Sequence, residues 1–291
     1  MSDKPFVSVI IPVYNNANTL GGVLDGLAMQ SYDHDAYEVI VVDNLSTDAS
    51  ASVARKKNAR VVDEHELQGS YAARNRGIIA AKGEILAFLD GDCAPNANWL
   101  SEGVAAMERH NGDLAGGRID IVAAGRSQLL AHYERLSYVR QEDTIRDHGT
   151  SAGGNLFVRR RVIEDIGPFR ADLKSGGDGE ICIRAGRGGY KMVYAAQAVV
   201  SHRAVSSVRS LLKRYRRLGR GESNLARHGV DPIRHSNSTF LSRKRAYVHR
   251  VWSDPTLSMA ERISILALNL MASVAQALGA WEGKSEGSGP R

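Results

Sequence analysis

Phe6-Val-Ser-Val-Ile-Ile-Pro-Val-Tyr14 is a nearly unbroken apolar run, and such a run is what a strand covered on both faces of a parallel sheet requires. Asn15 to Asn18 punctuate it, and Leu20, Val23, Leu24 and Leu27 follow at helical spacing. A second apolar strand, Glu38 to Asp43, completes a βαβ unit whose crossover is expected to be right-handed. That strand runs into Asp43-Asn-Leu-Ser-Thr-Asp48, where Ser46 or Thr47 is placed to cap a helix extending through Lys56. A short third strand fits Ala59 to Val62, a helix fits Ser70 to Ala81, and a fourth strand ends in Asp90. The pattern predicts an α/β fold. In open sheets of this class ligands bind outside the carboxyl ends of the strands, so Tyr14, Asp43, Asp90 and Asp92 are expected to meet at one crevice.

Asp90-Gly-Asp92 puts two carboxylates at the end of an apolar strand. Oxygen ligands there suit Mg²⁺ or Mn²⁺, ions that keep part of their shell for water and substrate phosphates. An isolated motif of this kind is more often a polar turn, and only its neighbours decide between the readings.

Those neighbours are Val9-Ile-Ile-Pro-Val-Tyr-Asn15, Val41-Val-Asp-Asn-Leu-Ser-Thr-Asp48, Ala72-Ala-Arg-Asn-Arg-Gly77, Phe88-Leu-Asp-Gly-Asp92, Gly153-Gly-Asn-Leu-Phe-Val-Arg159, Gly167-Pro-Phe169 and Gly176-Gly-Asp-Gly-Glu-Ile-Cys-Ile-Arg184. In order and spacing, over roughly residues 5 to 205, the set resembles the family 2 glycosyltransferases. The resemblance implies a GT-A fold, a Rossmann-like mixed sheet flanked by helices, and an inverting enzyme using a nucleotide sugar and a divalent Mn²⁺ or Mg²⁺. It places Pro12, Tyr14 and Asp43 at the base, Arg74 on the nucleotide or its phosphates, Asp92 on the metal, and Asp90 on the ribose or metal. Gly154 would leave room for the donor sugar and Asn155 would bond one of its hydroxyls. His202, after an expected strand from Met192 to Val200, matches a position where some relatives supply a further metal or phosphate contact.

An inverting displacement needs a general base opposite the leaving group. The family draws it from a Glu-Asp pair opening a helix. Here the pair reads Gly177-Asp178, which keeps the base as Asp178 and drops the glutamate. Asp178 and Glu180 would in any case favour the dipole of a helix's first turn.

At 291 residues and 43 % hydrophobic the chain can bury a sizeable core. The expected organisation is a catalytic domain over 1–205 and a basic, amphipathic helical extension over 206–291, with a flexible tail from 283. Two cysteines, Cys93 and Cys182, form no metal-binding pattern and suit a reducing compartment. The N-terminus carries no signal-like apolar segment, so the expectation is a cytoplasmic protein, with an option of peripheral attachment to the inner face of a membrane.

The chain's net charge of +6 is unevenly spread: Arg203 to Arg250 holds 13 Lys/Arg against Glu222 and Asp231, a local +11. A basic helix there suits anionic lipid, a polyprenyl phosphate or the donor diphosphate. No nucleic-acid-binding module accompanies it. In the last helix Ile263, Leu266, Ala267, Leu270, Met271, Val274, Leu278 and Trp281 form an apolar stripe. Core or dimer packing ranks first for that stripe, docking on a membrane surface second, and a true span third.

The expected activity is transfer of a sugar from a nucleoside diphosphate donor, UDP-linked by preference, to a glycan, lipid-linked or small-molecule acceptor in cell-surface glycan or glycolipid synthesis. A catalytically decayed binding module, suggested by Gly177, is one alternative. A nucleotidyltransferase is another, but it would need a glycine-rich phosphate loop where the chain has Pro12-Val-Tyr-Asn-Asn-Ala-Asn18.

Overall fold

The computed structural model describes residues 4–123, 128–137, 140–227, 229–230 and 240–285, with backbone alone for 240–243. Within them eight strands make one sheet: β1 (Val7–Val13), β2 (Tyr37–Asp43), β3 (Arg60–Asp63), β4 (Ile85–Leu89), β5 (Cys93–Pro95), β6 (Leu114–Val122), β7 (Asn155–Arg159) and β8 (Met192–Arg203). Their order is β3-β2-β1-β4-β7-β6-β8-β5. β3, β2, β1 and β4 run parallel, as the βαβ reading requires. β7 pairs antiparallel with β4 and β6, and β5 pairs antiparallel with β8, so the sheet is mixed.

Side chains alternate across β1, and that alternation fills two cores. Val7, Val9, Ile11 and Val13 join the core built with α1 (Ala17–Ala28) and α4 (Trp99–Arg109). Ile10 faces the opposite core, made with α3 (Ser70–Ala80), α7 (Arg160–Ile166) and α8 (Gly177–Arg187). With both faces covered, an unbroken apolar strand is the stable solution. Three further helices, α2 (Ser50–Lys56), α5 (Gln128–Ser137) and α6 (Gln141–His148), complete the region before β7.

The C-terminal helices are α9 (Val208–Arg227), α10 (Phe240–Ser253) and α11 (Met259–Ser285). They share a third core with α5, where Leu130 and Tyr133 meet Leu211, Tyr247, Val251, Ile265, Leu268 and Ala272. α9 and α11 touch backbone to backbone: a Cβ on Gly219 would lie 1.9 Å from the Gln276 carbonyl oxygen, and one on Gly279 the same distance from that of Arg216. Arg216 and Arg220 both clasp Glu282 across this seam.

Several expectations change. β4 stops at Leu89, so Asp90 belongs to the turn, and β8 runs through His202 to Arg203 rather than ending at Val200. α11 continues to Ser285, past the expected start of the tail at 283; residues 286–291 lie outside the described residues. Neither Ser46 nor Thr47 caps α2. Its N-cap is Ala49, which offers no side-chain bond, and Asp48 before it accepts from the Ser50 N–H, while Ser46 and Thr47 bond Asn15 and tie the loop after β2 to the end of β1. The core-packing option for the α11 stripe fails for most of its residues, although Leu266 packs against the third core. Ile265, Leu268, Ala272, Ala275, Gly279 and Gly283 are the buried face, and Ile263, Leu270, Met271, Val274, Leu278 and Trp281 point outward.

Candidate active site

The carboxyl ends of β1 and β4 open into a cleft of about 780 Å³, walled on the far side by the start of α8 and by α9. Pro12, Tyr14, Arg74, Asp90, Asp92, Gly154, Asp178 and His202 all line it. Asp43 ends β2 one residue before Asn44, which does line the cleft. Its Oδ1 is buried with no hydrogen-bond partner among the described residues.

Arg74 is buried on α3, its guanidinium stacked against Tyr71 and Phe169 at 5.6 and 5.8 Å from the ring centroids. It donates to Asp90 Oδ1 at 2.6 Å. Burial in the cleft floor pushes the Asp90 carboxyl up, with Arg74 opposing and Asp92 adding to the rise. Gly153 and Gly154 pass close over this pair: a Cβ would lie 3.0 Å from the Arg74 guanidinium and 2.9 Å from Asp90 Oδ2 respectively.

Across the β5/β8 ladder Cys93 faces His202, bringing the imidazole Nε2 to 3.5 Å from Asp92 Oδ2. Burial works against both charges, but each supports the other: Asp92 is held below the ordinary carboxylate range and His202 above the ordinary imidazole value. Ligand atoms of Asp92, Cys93 and His202 lie within 4.8 Å of one another. A carboxylate and an imidazole at this spacing, with Asp90 beside them, fit a divalent ion of the Mn²⁺ type.

Asp178 lies in the first turn of α8. Its Oδ2 accepts from the Gly153 N–H at 2.9 Å, and its Oδ1 from the Tyr71 hydroxyl at 3.3 Å and the Gly179 N–H at 3.1 Å. The same Tyr71 hydroxyl accepts from the Gly177 N–H at 2.8 Å. A Cβ on Gly177 would sit 2.9 Å from the Tyr71 ring. Tyr71 therefore fills the space a glutamate would need, and it orients the carboxylate that follows.

The family 2 model, described as glycosyl transferase family 2, matches residues 8–167. The chain belongs to that family. The glycosyltransferase AglE of Haloferax volcanii is 40 % identical over 226 residues, covering 76 % of this chain and 74 % of that protein. The amylovoran biosynthesis glycosyltransferase AmsB of Erwinia amylovora is 29 % identical over 223 residues, covering 71 % and 72 %. Among solved structures the mannosyltransferase PcManGT of Pyrobaculum calidifontis, in complex with GDP-Man and Mn²⁺, superposes with a TM-score of 0.67 at 22 % identity, covering 94 % of this chain and 88 % of that one. The protein is thus a glycosyltransferase with the GT-A fold.

Two expected site residues of the transferase, Asp43 and Asn155, are not among those that line the cleft. Asn155 is fully buried at the start of β7. Its Oδ1 accepts from the Trp99 indole at 2.8 Å, and its Nδ2 donates to the carbonyls of Arg118 and Ala198, both at 2.9 Å. With its amide engaged inside the fold, it is a bracket between α4, β6 and β8.

Other residues of the cleft escaped the sequence reading. Asn44 bonds the Glu64 and Leu67 carbonyls and the Gly69 N–H, fixing the loop that presents Gln68 and Gly69. Lys174, Arg214 and Arg217 add cations to the wall. Arg214 is pinned by Glu134, while Arg217, one helical turn further on, is exposed. Nothing in the sequence marked Asn44 or Lys174, whereas Arg214 and Arg217 belong to the basic run Lys213 to Arg220, which was expected to suit anionic lipid, a polyprenyl phosphate or the donor diphosphate.

Proposed function

We propose that the transferase moves a sugar, with inversion, from a nucleoside diphosphate donor to a hydroxyl acceptor in cell-surface glycan or glycolipid synthesis. The supporting observation is one cleft lined by Asp178 together with Asp90 and Asp92, and its size falls within the roughly 300–1,000 Å³ usual for such ligands.

In this reading the base lies by Tyr14, and the partnerless Oδ1 of Asp43 accepts its ring N–H. Uracil and guanine both offer such a donor, so UDP conjugates, favoured by the family resemblance, are tested first and GDP conjugates second. Arg74 and the cationic wall face the diphosphate, where guanidinium groups are strong partners. Asp92, His202 and Asp90 would hold a divalent ion, Mn²⁺ or Mg²⁺, which when bound supplies charge neutralisation for the departing diphosphate.

Asp178 takes the proton of the acceptor hydroxyl as its oxygen bonds to the anomeric carbon. The bond from that carbon to the phosphate oxygen breaks, and nucleoside diphosphate leaves with the electron pair. Tyr71 and the Gly153 N–H hold the carboxylate in register for this transfer. A thermal-shift series of nucleoside diphosphates and their sugar conjugates, with and without Mn²⁺, tests the reading, because a ligand of the folded form raises its apparent stability. Stabilisation by one nucleotide, enhanced by the metal, is expected; indifference to all of them would refute it.

A further inference from the structure

α11 is apolar on two opposite faces. One, through Ala272, Ala275, Gly279 and Gly283, packs against the rest of the protein. The other carries Ile263, Leu270, Met271, Val274, Leu278 and Trp281, and Trp281, Leu270 and Ile263 are 69 %, 67 % and 60 % exposed. From Ile263 to Trp281 the helix bears no charge. An apolar face this long that no described residue covers needs a second medium or a partner.

We infer that this outward face docks in the plane of an anionic membrane surface. Length and composition alone would let α11 cross a bilayer. Its other face forbids that, because Gly219 and Gly279 lock it backbone to backbone onto α9, and Glu282 is clasped by Arg216 and Arg220. Pulling the helix into hydrocarbon would drag that charged seam with it. Lying flat leaves the seam on the protein side and sinks only the stripe, as interfacial helices do.

Charge selects the occupant. The segment from Arg203 to Arg250 carries +11, of which Glu134 and Glu282, the partners of Arg214, Arg216 and Arg220, offset only two charges, so two copies apposed through this region repel, whereas anionic headgroups attract it. Tryptophan and cations sit together at both ends of the stripe, as at membrane interfaces. Arg262 stacks over the exposed Trp252 at 5.9 Å, with Arg245 two turns before Trp252 on α10, and Lys284 follows Trp281. Since α9 lies behind α11 and lines the cleft through Arg214 and Arg217, docking sets the cleft about one helix layer, roughly 10 Å, from the lipid.

The test is co-sedimentation of the full chain with vesicles of phosphatidylcholine alone and of phosphatidylcholine mixed with phosphatidylglycerol, alongside its oligomeric state in solution. Binding to the mixed vesicles, with a blue shift of tryptophan emission that is reduced in Trp281→Phe and again in Trp252→Phe, is expected. The double variant Leu270→Glu/Leu278→Glu should lower that binding about tenfold or more with an unchanged circular dichroism spectrum, while Ile79→Glu, at an exposed position on α3, should not. Failure to bind either vesicle, equal binding to neutral lipid, or insensitivity to the double variant would overturn the inference. So would a solution dimer that the double variant dissociates, which would make a second copy the occupant. None of these outcomes depends on sugar transfer, so the two proposals fail separately.

Discussion

Asp178 is held by three donors, from Tyr71, Gly153 and Gly179, so Asp178→Asn, close to it in size, removes the proton acceptor and sets an amide NH2 against one of the two backbone N–H donors. The expected result is a fall in kcat of about 10²- to 10⁴-fold with the donor's Kd nearly unchanged; a variant that keeps full turnover would remove Asp178 as base. Gly177 sharpens the point. Restoring the family's glutamate by Gly177→Glu should lower activity, because the new side chain meets the Tyr71 ring, and Tyr71→Ala in the same chain should relieve the clash. Recovery of turnover without that second change would show that the space is available. Asn155 carries the opposite lesson. Asn155→Ala strands the Trp99 indole N–H and two carbonyls inside the fold, and each buried group left unmet costs about 1–3 kcal/mol. We expect a loss of about 3 kcal/mol or more in urea denaturation. Equal stability with weakened donor binding would instead return Asn155 to the sugar site. The sequence reading took Gly154 as room for the donor sugar with Asn155 beside it, but the orientation of Asn155 is set by α4, β6 and β8, far away in the chain.

At the scale of elements, what the sequence made legible is what repeats or terminates locally. Strands covered on both faces show as unbroken apolar runs, so β1, β2 and β4 were found within a residue or two. β5 and the antiparallel insertion of β7 between β4 and β6 leave no local trace, because a three-residue strand such as Cys93–Pro95 exists only through its pairing with β8. α11 misled for a related reason: both of its faces are apolar, and periodicity cannot say which one meets the protein. Its glycines can. Gly219→Val or Gly279→Leu would drive side-chain atoms into facing backbone, an overpacking worth about 3 kcal/mol that should also move Arg214 and Arg217 away from the cleft. Unfolding midpoint and donor affinity should fall together, and a variant that lost neither would mean the seam is not a rigid contact. The same seam carries a pH dependence. Hydrogen bonds from Arg216 and Arg220 depress Glu282 from 4.5 to about 2. Its contribution is therefore complete above the ordinary value and fades as pH falls toward the depressed one. Glu282→Gln should flatten the acid limb of the stability curve in that window, and a limb of unchanged slope would assign the effect elsewhere.

At the scale of the molecule, the segment after Arg203 reads in the sequence as an appendage, since its composition changes abruptly there. Its side chains are nevertheless built into the catalytic part. Leu225 of α9 lies in the same core as Phe169, Leu173 and Ile181, and a Cβ on Gly176, just ahead of Asp178, would touch its side chain at 2.5 Å. Arg214 neutralises Glu134, which is buried on α5 and raised above the ordinary glutamate value by that burial despite its partner. Cutting the chain after residue 205 would expose Leu130 and Tyr133 and leave Glu134 as an unpaired buried charge, a defect that costs about 3–5 kcal/mol when one partner of such a pair is removed. It would also strip Arg214, Arg217 and Leu218 from the cleft wall. The shortened chain is therefore expected to melt well below the full one, or to aggregate, and to lose nucleotide-dependent stabilisation even in conditions where it stays soluble. Were residues 1–205 to fold with the full chain's melting temperature and its response to nucleotide, the helical extension would be a separable module. The proximity of its basic wall to Asp178 would then be incidental to the site rather than part of it.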